Sequence, residues 1–313
     1  MMVTAVIPLY NKGMHIARAL GSALAQTVGG LEVIVVDDGS TDGGHLVVER
    51  CGDPRVRLIR QENRGVSLAR NRGIAEASGD IIAFLDADDA WKPDFVKTIL
   101  RLRDDWPQAG AYATSYTVVR QDGSLYHPRF SRRALKPGYE GILDNYWAAS
   151  CRDLPVWTSA VAVRRDVFDR AGLFPPGVPS GEDMDMWARI AIHSRFAYAC
   201  REMAWYYQNA ENRATTNKAV DRVVRPVIRT VEDAMADGRI PRAMWADARE
   251  FLNVTRINRA NRFVEAAQYR EARALLREVR TGRLLDRKLR TYLHTFREHP
   301  LYRLVKCIKG RFM

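Results

Sequence analysis

The sequence predicts an α/β fold, a mostly parallel sheet flanked by helices, followed by an α-helical basic C-terminal region. Three observations carry this. Short apolar runs alternate with helix-period segments from residue 3 to about residue 105, and such β-α-β-α alternation requires a parallel sheet with helices on its faces. Two of the runs stop abruptly at acidic clusters, Asp37-Asp38-Gly39-Ser40-Thr41-Asp42 and Asp86-Ala87-Asp88-Asp89, at the strand ends where open α/β sheets bind ligands. Beyond about residue 214 the pattern is helical throughout and rich in arginine.

In chain order, Val3-Thr4-Ala5-Val6-Ile7-Pro8 reads as a first strand ended by Pro8, and Leu9-Tyr10-Asn11-Lys12-Gly13 as the loop after it. Ile16, Leu20, Ala23 and Leu24 recur at helical spacing. Residues 31–36 form a second strand that stops at Asp37, and residues 56–60 a third after a short helix. Residues 63–78 read as a helix with Ile74 and Ala77 on its apolar side, leading into the central strand Ile81-Ile82-Ala83-Phe84-Leu85. A helix over residues 93–105 has Pro93 in its first turn, where the missing N–H costs nothing. Asp122-Gly123 between residues 112–120 and 124–127 predicts a hairpin. Residues 157–163 alternate towards another strand, Ser180-Gly181-Glu182-Asp183 opens a helix through Trp187 and Ile190, and residues 196–207 return as a strand. In the helical remainder, Phe251, Val254 and Ile257, then Ala272, Leu275, Leu276 and Val279, keep an apolar seam. The last stretch sets Leu301, Leu304, Val305, Ile308 and Phe312 on one side, interleaved with Arg303, Lys306, Lys309 and Arg311. A basic amphipathic helix of this kind fits a membrane interface; packing on neighbouring helices with a solvated basic face fits equally.

At 313 residues the chain holds one large domain or a domain with an appendage. Its charge is uneven. Residues 1–213 carry 26 Lys/Arg against 26 Asp/Glu and residues 214–313 carry 23 against 11, so the net +12 lies in the last third. This predicts domains at 1–213 and 214–313 and an anionic partner for the tail, membrane phosphates or nucleic acid. The tail lacks a recognised nucleic-acid module, which favours anionic lipid. Cys51, Cys151, Cys200 and Cys307 form no CxxC pair, which argues against a zinc site or disulfide framework and fits a reducing compartment. No apolar run approaches bilayer-spanning length and the N-terminus enters a strand at once, so the expectation is a cytoplasmic protein without a transmembrane helix.

The residues after the central strand carry the chemistry. Residues i and i+2 of extended chain face the same side, so Asp86 and Asp88 aim at one object while Ala87 keeps the turn narrow. Two carboxylates that close repel unless a cation sits between them. Mg²⁺ or Mn²⁺, hard ions that keep coordination positions for phosphate, suit the pair and predict a metal–diphosphate site; the alternative is a solvated acidic turn. A calcium loop is disfavoured because Trp91 stands where an EF-hand loop needs glycine.

Taken together, Val6-Ile7-Pro8-Leu9-Tyr10-Asn11, Val35-Val36-Asp37-Asp38-Gly39-Ser40-Thr41-Asp42, Asn63-Arg64-Gly65 with Ala69-Arg70-Asn71, Phe84-Leu85-Asp86-Ala87-Asp88-Asp89 and Gly181-Glu182-Asp183-Met184-Asp185-Met186-Trp187 resemble the family 2 glycosyltransferases of Rossmann-like GT-A fold. The resemblance covers residues 3–190 and not the tail. It implies transfer of a sugar from a nucleoside diphosphate, here UDP, to a hydroxyl of a glycan, lipid-linked or protein acceptor, generally with inversion. Pro8, Tyr10 and Asp38 match positions lining the base pocket; a carboxylate at Asp38 accepts the uracil imide N–H, and Tyr10 offers a stacking face. Asp37 and Asp42 read better as caps of the turn and the next helix. Arg70 resembles a position near the nucleotide, and pairing with Asp86 or Asp37 is its alternative. Asp88 corresponds to the metal ligand and Asp86 to the first Asp of the DxD motif, touching ribose or metal. Asp89 braces the loop or contacts the donor sugar. The acceptor's base falls in the pair Glu182-Asp183, Asp183 first, although Ser180 three residues before Asp183 also forms a capping-box pattern. Trp91, Trp157 and Trp187 read as packing. Where relatives carry a His for the diphosphate, this chain has Gln208 and Arg213. The Gln-x-x-Arg-Trp motif and transmembrane helices of processive synthases do not appear, which favours single additions.

Two other classes compete. A nucleotidyltransferase needs a glycine-rich phosphate loop directly after the first strand, where this chain has Pro8-Leu9-Tyr10-Asn11-Lys12-Gly13. A non-catalytic nucleotide-sugar-binding or assembly protein would have no use for both Asp88 and the Glu182-Asp183 pair.

Overall fold

The computed structural model describes residues 2–131, 134–210 and 226–296. Its first half follows the sequence closely. β1 (Val3–Leu9), α1 (Gly13–Leu24), β2 (Leu31–Asp38), α2 (Gly44–Glu49), β3 (Val56–Gln61), α3 (Val66–Glu76) and β4 (Ile81–Phe84) alternate, and the strands lie parallel in the order β3-β2-β1-β4. The short β-branched runs are buried on both faces, as a parallel sheet covered by helices demands.

β5 (Ala90–Trp91), α4 (Phe95–Asp105), β6 (Ala111–Val119), β7 (Leu125–Tyr126), β8 (Glu140–Ile142) and α5 (Tyr146–Ala149) come next. β6 and β7 form the hairpin expected around Asp122-Gly123. α4 starts two residues beyond Pro93. Asp94 accepts from the Thr27 hydroxyl at 2.8 Å, and the Gln26 side-chain oxygen accepts the Val96 N–H at 2.8 Å, so a first-turn donor is met from outside the helix.

β9 (Val161–Arg164), α6 (Val167–Ala171), α7 (Glu182–His193) and β10 (Phe196–Tyr207) complete the sheet, whose path continues β4-β9-β6-β10-β5. This half is mixed rather than parallel. β10 runs parallel to β6, but β9 is antiparallel to both β4 and β6. The chain leaves β6 at the carboxyl edge and re-enters from a tight turn at Thr158–Ala160 on that same edge, so β9 can only run away from it. The turn thereby lands beside the acidic residues that follow β4.

Side chains alternate across the sheet. Val3, Ala5, Ile7 and Leu9 of β1 join Ile16, Leu20 and Phe95 on one face, while Val6 joins Phe84, Ile74 and Trp187 on the other. Gly73 lets α3 lie against β1: a Cβ there would collide with Val6 Cγ1.

α8 (Pro226–Ala236), α9 (Trp245–Glu265), α10 (Tyr269–Glu278) and α11 (Leu285–His294) bear out the helical reading of this region. Val227, Ile228, Val231, Phe251 and Leu252 share the apolar cluster of Phe84 and Trp187, whereas Ile257, Phe263, Ala272 and Leu276 form a smaller one of their own. No described helix is long and apolar enough to cross a membrane. Arg213 and the stretch at 301–312 lie outside the described residues.

Candidate active site

Four chain segments meet at the carboxyl edge. The first two are tied together by backbone. Gly39 turns the chain after β2 at φ 76°, and a Cβ there would sit 2.9 Å from the Asn63 nitrogen, so glycine is required. Asn11, itself at φ 49°, receives Thr41 N–H on its side-chain oxygen at 2.8 Å and gives its own N–H to Ser40 Oγ at 3.1 Å. Asp42 takes Gly13 N–H at 2.6 Å and Gly44 N–H at 2.9 Å, fastening the starts of α1 and α2. Asp37 accepts from Ser40 N–H at 3.0 Å and pairs with Arg60 at 3.3 Å.

Pro8 is buried in register with Val36, and Leu9 with Asp37, so Tyr10 comes just beyond the end of β1 and Asp38 at the end of β2. Tyr10 is 47% exposed and Asp38 2%. Asp38 Oδ1 accepts from Gln61 Nε2 at 2.7 Å and Arg64 N–H at 3.0 Å, and Oδ2 from Gly65 N–H at 2.8 Å. The carboxylate is therefore first the anchor of residues 61–65, with one acceptor direction left on Oδ2.

The third segment is the acidic run after β4. Asp88 Oδ2 meets Lys12 Nζ at 2.8 Å. Asp89 is buried: Oδ2 accepts Ser159 Oγ–H at 2.5 Å and Trp157 Nε1–H at 3.3 Å, and Oδ1 accepts Tyr207 N–H at 3.1 Å. Burial, then the charges of Asp88 and Asp86, push its carboxyl well above the usual range. Asp89 in this position braces the loop, one of the two roles expected of it.

Asp86 is held through its N–H to Ser159 Oγ at 3.1 Å and through Oδ1 to Arg70 Nη2 at 2.8 Å. Arg70 Nη1 reaches Glu182 Oε1 at 2.8 Å. One buried guanidinium on α3 therefore joins a carboxylate after β4 to one at the start of α7. The Arg70 side chain is 4% exposed, and the pairing with Asp86 that was the alternative expectation is present. Burial raises the Asp86 and Glu182 carboxyls; Arg70 opposes this in both, while Asp183 adds to it.

α7 is the fourth segment. Gly181 at φ 88° precedes it, with no capping side chain. The Ser180 capping box does not form: Ser180 Oγ accepts from Arg262 Nη1 at 3.3 Å, and Asp183 Oδ1 takes Met184 N–H at 2.7 Å. The helix starts too late for Ser180 to be its cap. Asp183 Oδ2 receives the Thr158 hydroxyl at 3.3 Å, so adjacent residues of one turn touch Asp183, Asp86 and Asp89. Trp91, Trp157 and Trp187 pack as expected; Trp157 lies between Tyr116 and Tyr206. A cavity of about 610 Å³ lined by Lys136, Asn145, Asp247 and Arg283 lies elsewhere and contains none of these carboxylates.

No three His, Cys, Asp or Glu side chains gather to hold a metal among the described residues. The donor set still fits a hard divalent ion, which is commonly held by one or two carboxylates plus substrate phosphates. A cation, the Lys12 ammonium, already stands against Asp88. Lys12, Arg18, Thr158 and Ser159 were not singled out from sequence. Lys12 had a signal, its place in the loop after the first strand; the 158–159 turn had none, because only the antiparallel course of β9 brings it here.

The mixed α/β sheet with acidic loops converging on one edge is that of a GT-A fold, and the chain belongs to glycosyl transferase family 2, a family of sugar-transferring enzymes, whose pattern matches residues 4–170. It is 27% identical over 220 residues to the putative teichuronic acid biosynthesis glycosyltransferase TuaG of Bacillus subtilis (strain 168), spanning 69% of this chain and 82% of that protein. Other curated relatives are matched over 18% to 54% of their length. The fold is similar to S. aureus TarS 1–349 in complex with UDP-GlcNAc, with TM-score 0.67 at 17% identity over 95% of this chain and 91% of that one. It is also similar to mannosyltransferase PcManGT from Pyrobaculum calidifontis in complex with GDP-Man and Mn²⁺, with TM-score 0.60 at 20% identity over 98% and 84%.

Proposed function

We propose that this protein transfers a sugar from a UDP-sugar to an acceptor hydroxyl, with inversion, one residue at a time, in cell-surface polysaccharide or glycoconjugate synthesis. The observation that carries the reading is the Asp86–Arg70–Glu182 chain at 2.8 Å on each side, which sets a donor-side carboxylate and an acceptor-side carboxylate in one site. The UDP-GlcNAc bound in a structural neighbour and the name of TuaG support donor and pathway.

In this reading Tyr10 stacks on the base, and the remaining acceptor direction of Asp38 Oδ2 takes the uracil imide N–H. Asp88, with Asp86 beside it, would hold Mn²⁺ or Mg²⁺, which supplies positive charge to the departing diphosphate. Asp183 removes the acceptor proton. It is only partly buried, whereas Glu182 is buried and committed to Arg70, which supports Asp183 as the base and Glu182 as the group that positions it. The domain division at residue 213, a cytoplasmic location and contact with anionic membrane through the C-terminal helices complete the proposal. α11 exposes Leu285, Leu289 and Leu293 along one stripe, with Phe296 exposed just beyond its end, which fits an interface.

Asp183→Asn tests the assignment. Transfer should fall by about two to four orders of magnitude, the usual worth of general-base catalysis, while UDP binding is retained. Unimpaired transfer would remove Asp183 from the chemistry.

A further inference from the structure

Lys12 is the residue whose position the reading above leaves unexplained. Its ammonium lies 2.8 Å from Asp88 Oδ2, with side chains only 11% and 16% exposed, on the carboxylate assigned to the metal. Its backbone is fixed between Asn11 and Gly13, both tied to the loop after β2. The other cations of this edge are committed differently. Arg70 bridges Asp86 and Glu182. Arg18 donates to the Asp88 carbonyl and lies over the Tyr207 ring at 3.7 Å. Lysine, a compact charge on a flexible four-carbon stem, suits a contact that changes partner.

An ammonium and a divalent ion on the same carboxylate repel strongly at such separations. A diphosphate brought by that ion would offer the displaced ammonium a new anionic partner. Resting on the proposed function, we infer that Lys12 exchanges partners: it holds Asp88 until metal and donor arrive, then passes to the diphosphate. The metal alone meets a carboxylate already occupied, whereas metal with diphosphate gives Lys12 a destination, so the two ligands favour each other's binding.

Calorimetric titration of the full chain with MnCl₂ alone, with UDP in saturating Mn²⁺, and with UMP in saturating Mn²⁺ tests this. Lys12→Met should bind Mn²⁺ alone several-fold more tightly and UDP about tenfold more weakly, the worth of a charge-assisted hydrogen bond. UMP, which lacks the β-phosphate, should be unaffected. Lys12→Arg should restore UDP affinity, and Lys12→Gln should repeat the Met result should that variant misfold. The opposite signs for metal and UDP are the discriminating result, because a merely structural role would weaken every ligand together. Equal losses for UDP and UMP, or an unchanged Mn²⁺ affinity, overturn the exchange while leaving the proposed function intact. A wild-type chain that binds neither Mn²⁺ nor UDP overturns both.

Discussion

Arg70→Met should cost about 3 kcal/mol of stability at neutral pH, and the structure supplies the reasoning. Removing one partner of a buried ion pair costs roughly 3–5 kcal/mol, because the other charge stays buried without compensation. Here two carboxylates are stranded, but the Asp86 side chain is 26% exposed and Glu182 10%, so solvent relieves part of the penalty and the lower end applies. Urea unfolding followed by tryptophan fluorescence reads the loss as a lowered midpoint. The pH dependence has a definite sign. Burial holds both carboxyls above their ordinary range even with Arg70 present, so the folded state binds protons more tightly than the unfolded chain. Without Arg70 that difference grows, and the deficit should shrink as pH falls towards the unfolded carboxyl values near 4. Glu182→Gln in the Arg70→Met background should recover part of the loss. A deficit below about 1 kcal/mol, or one that deepens on acidification, would refute this account of the bridge.

Asp88→Ala should abolish metal-dependent turnover of the donor in a coupled UDP-release assay, and persistent Mn²⁺-stimulated release would exclude Asp88 as the ligand. Cys51 is exposed, whereas burial pushes the Cys151 thiol up to about 12 and the Cys200 thiol up to about 11. Iodoacetamide should therefore alkylate the exposed Cys51 well before Cys151, as peptide mass spectrometry will show. Leu289→Glu with Leu293→Glu should reduce co-sedimentation with anionic vesicles at least tenfold without altering UDP affinity; unchanged partitioning would remove the membrane from the reading.

How much of this was legible in the sequence depends on range. β1 to β4 were readable because each strand and helix announces itself within its own residues, and the acidic clusters mark where strands stop. The mixed half was not. β9 is four residues long and nothing local says which strand it pairs with or in which direction, so the Thr158–Ser159 turn could not be connected to Asp86, Asp89 and Asp183 in advance. Local signals also misled: Ser180 and Asp183 have capping-box spacing, but the helix begins at Glu182 after a left-handed Gly181, and Pro93 precedes its helix instead of opening it. Arg70 was readable as a residue of the site, while its pairing with Glu182, 112 positions away, belongs to the packing of α3 against the sheet.

That packing turns on the bare α-carbon of Gly73. Arg70 sits almost one turn earlier on the same helix, so a methyl group added at residue 73 would lever the helix off β1 and drag the guanidinium away from both acids. The alignment of Asp86 with Glu182 is thus governed from inside the hydrophobic layer, by a side chain that is not there.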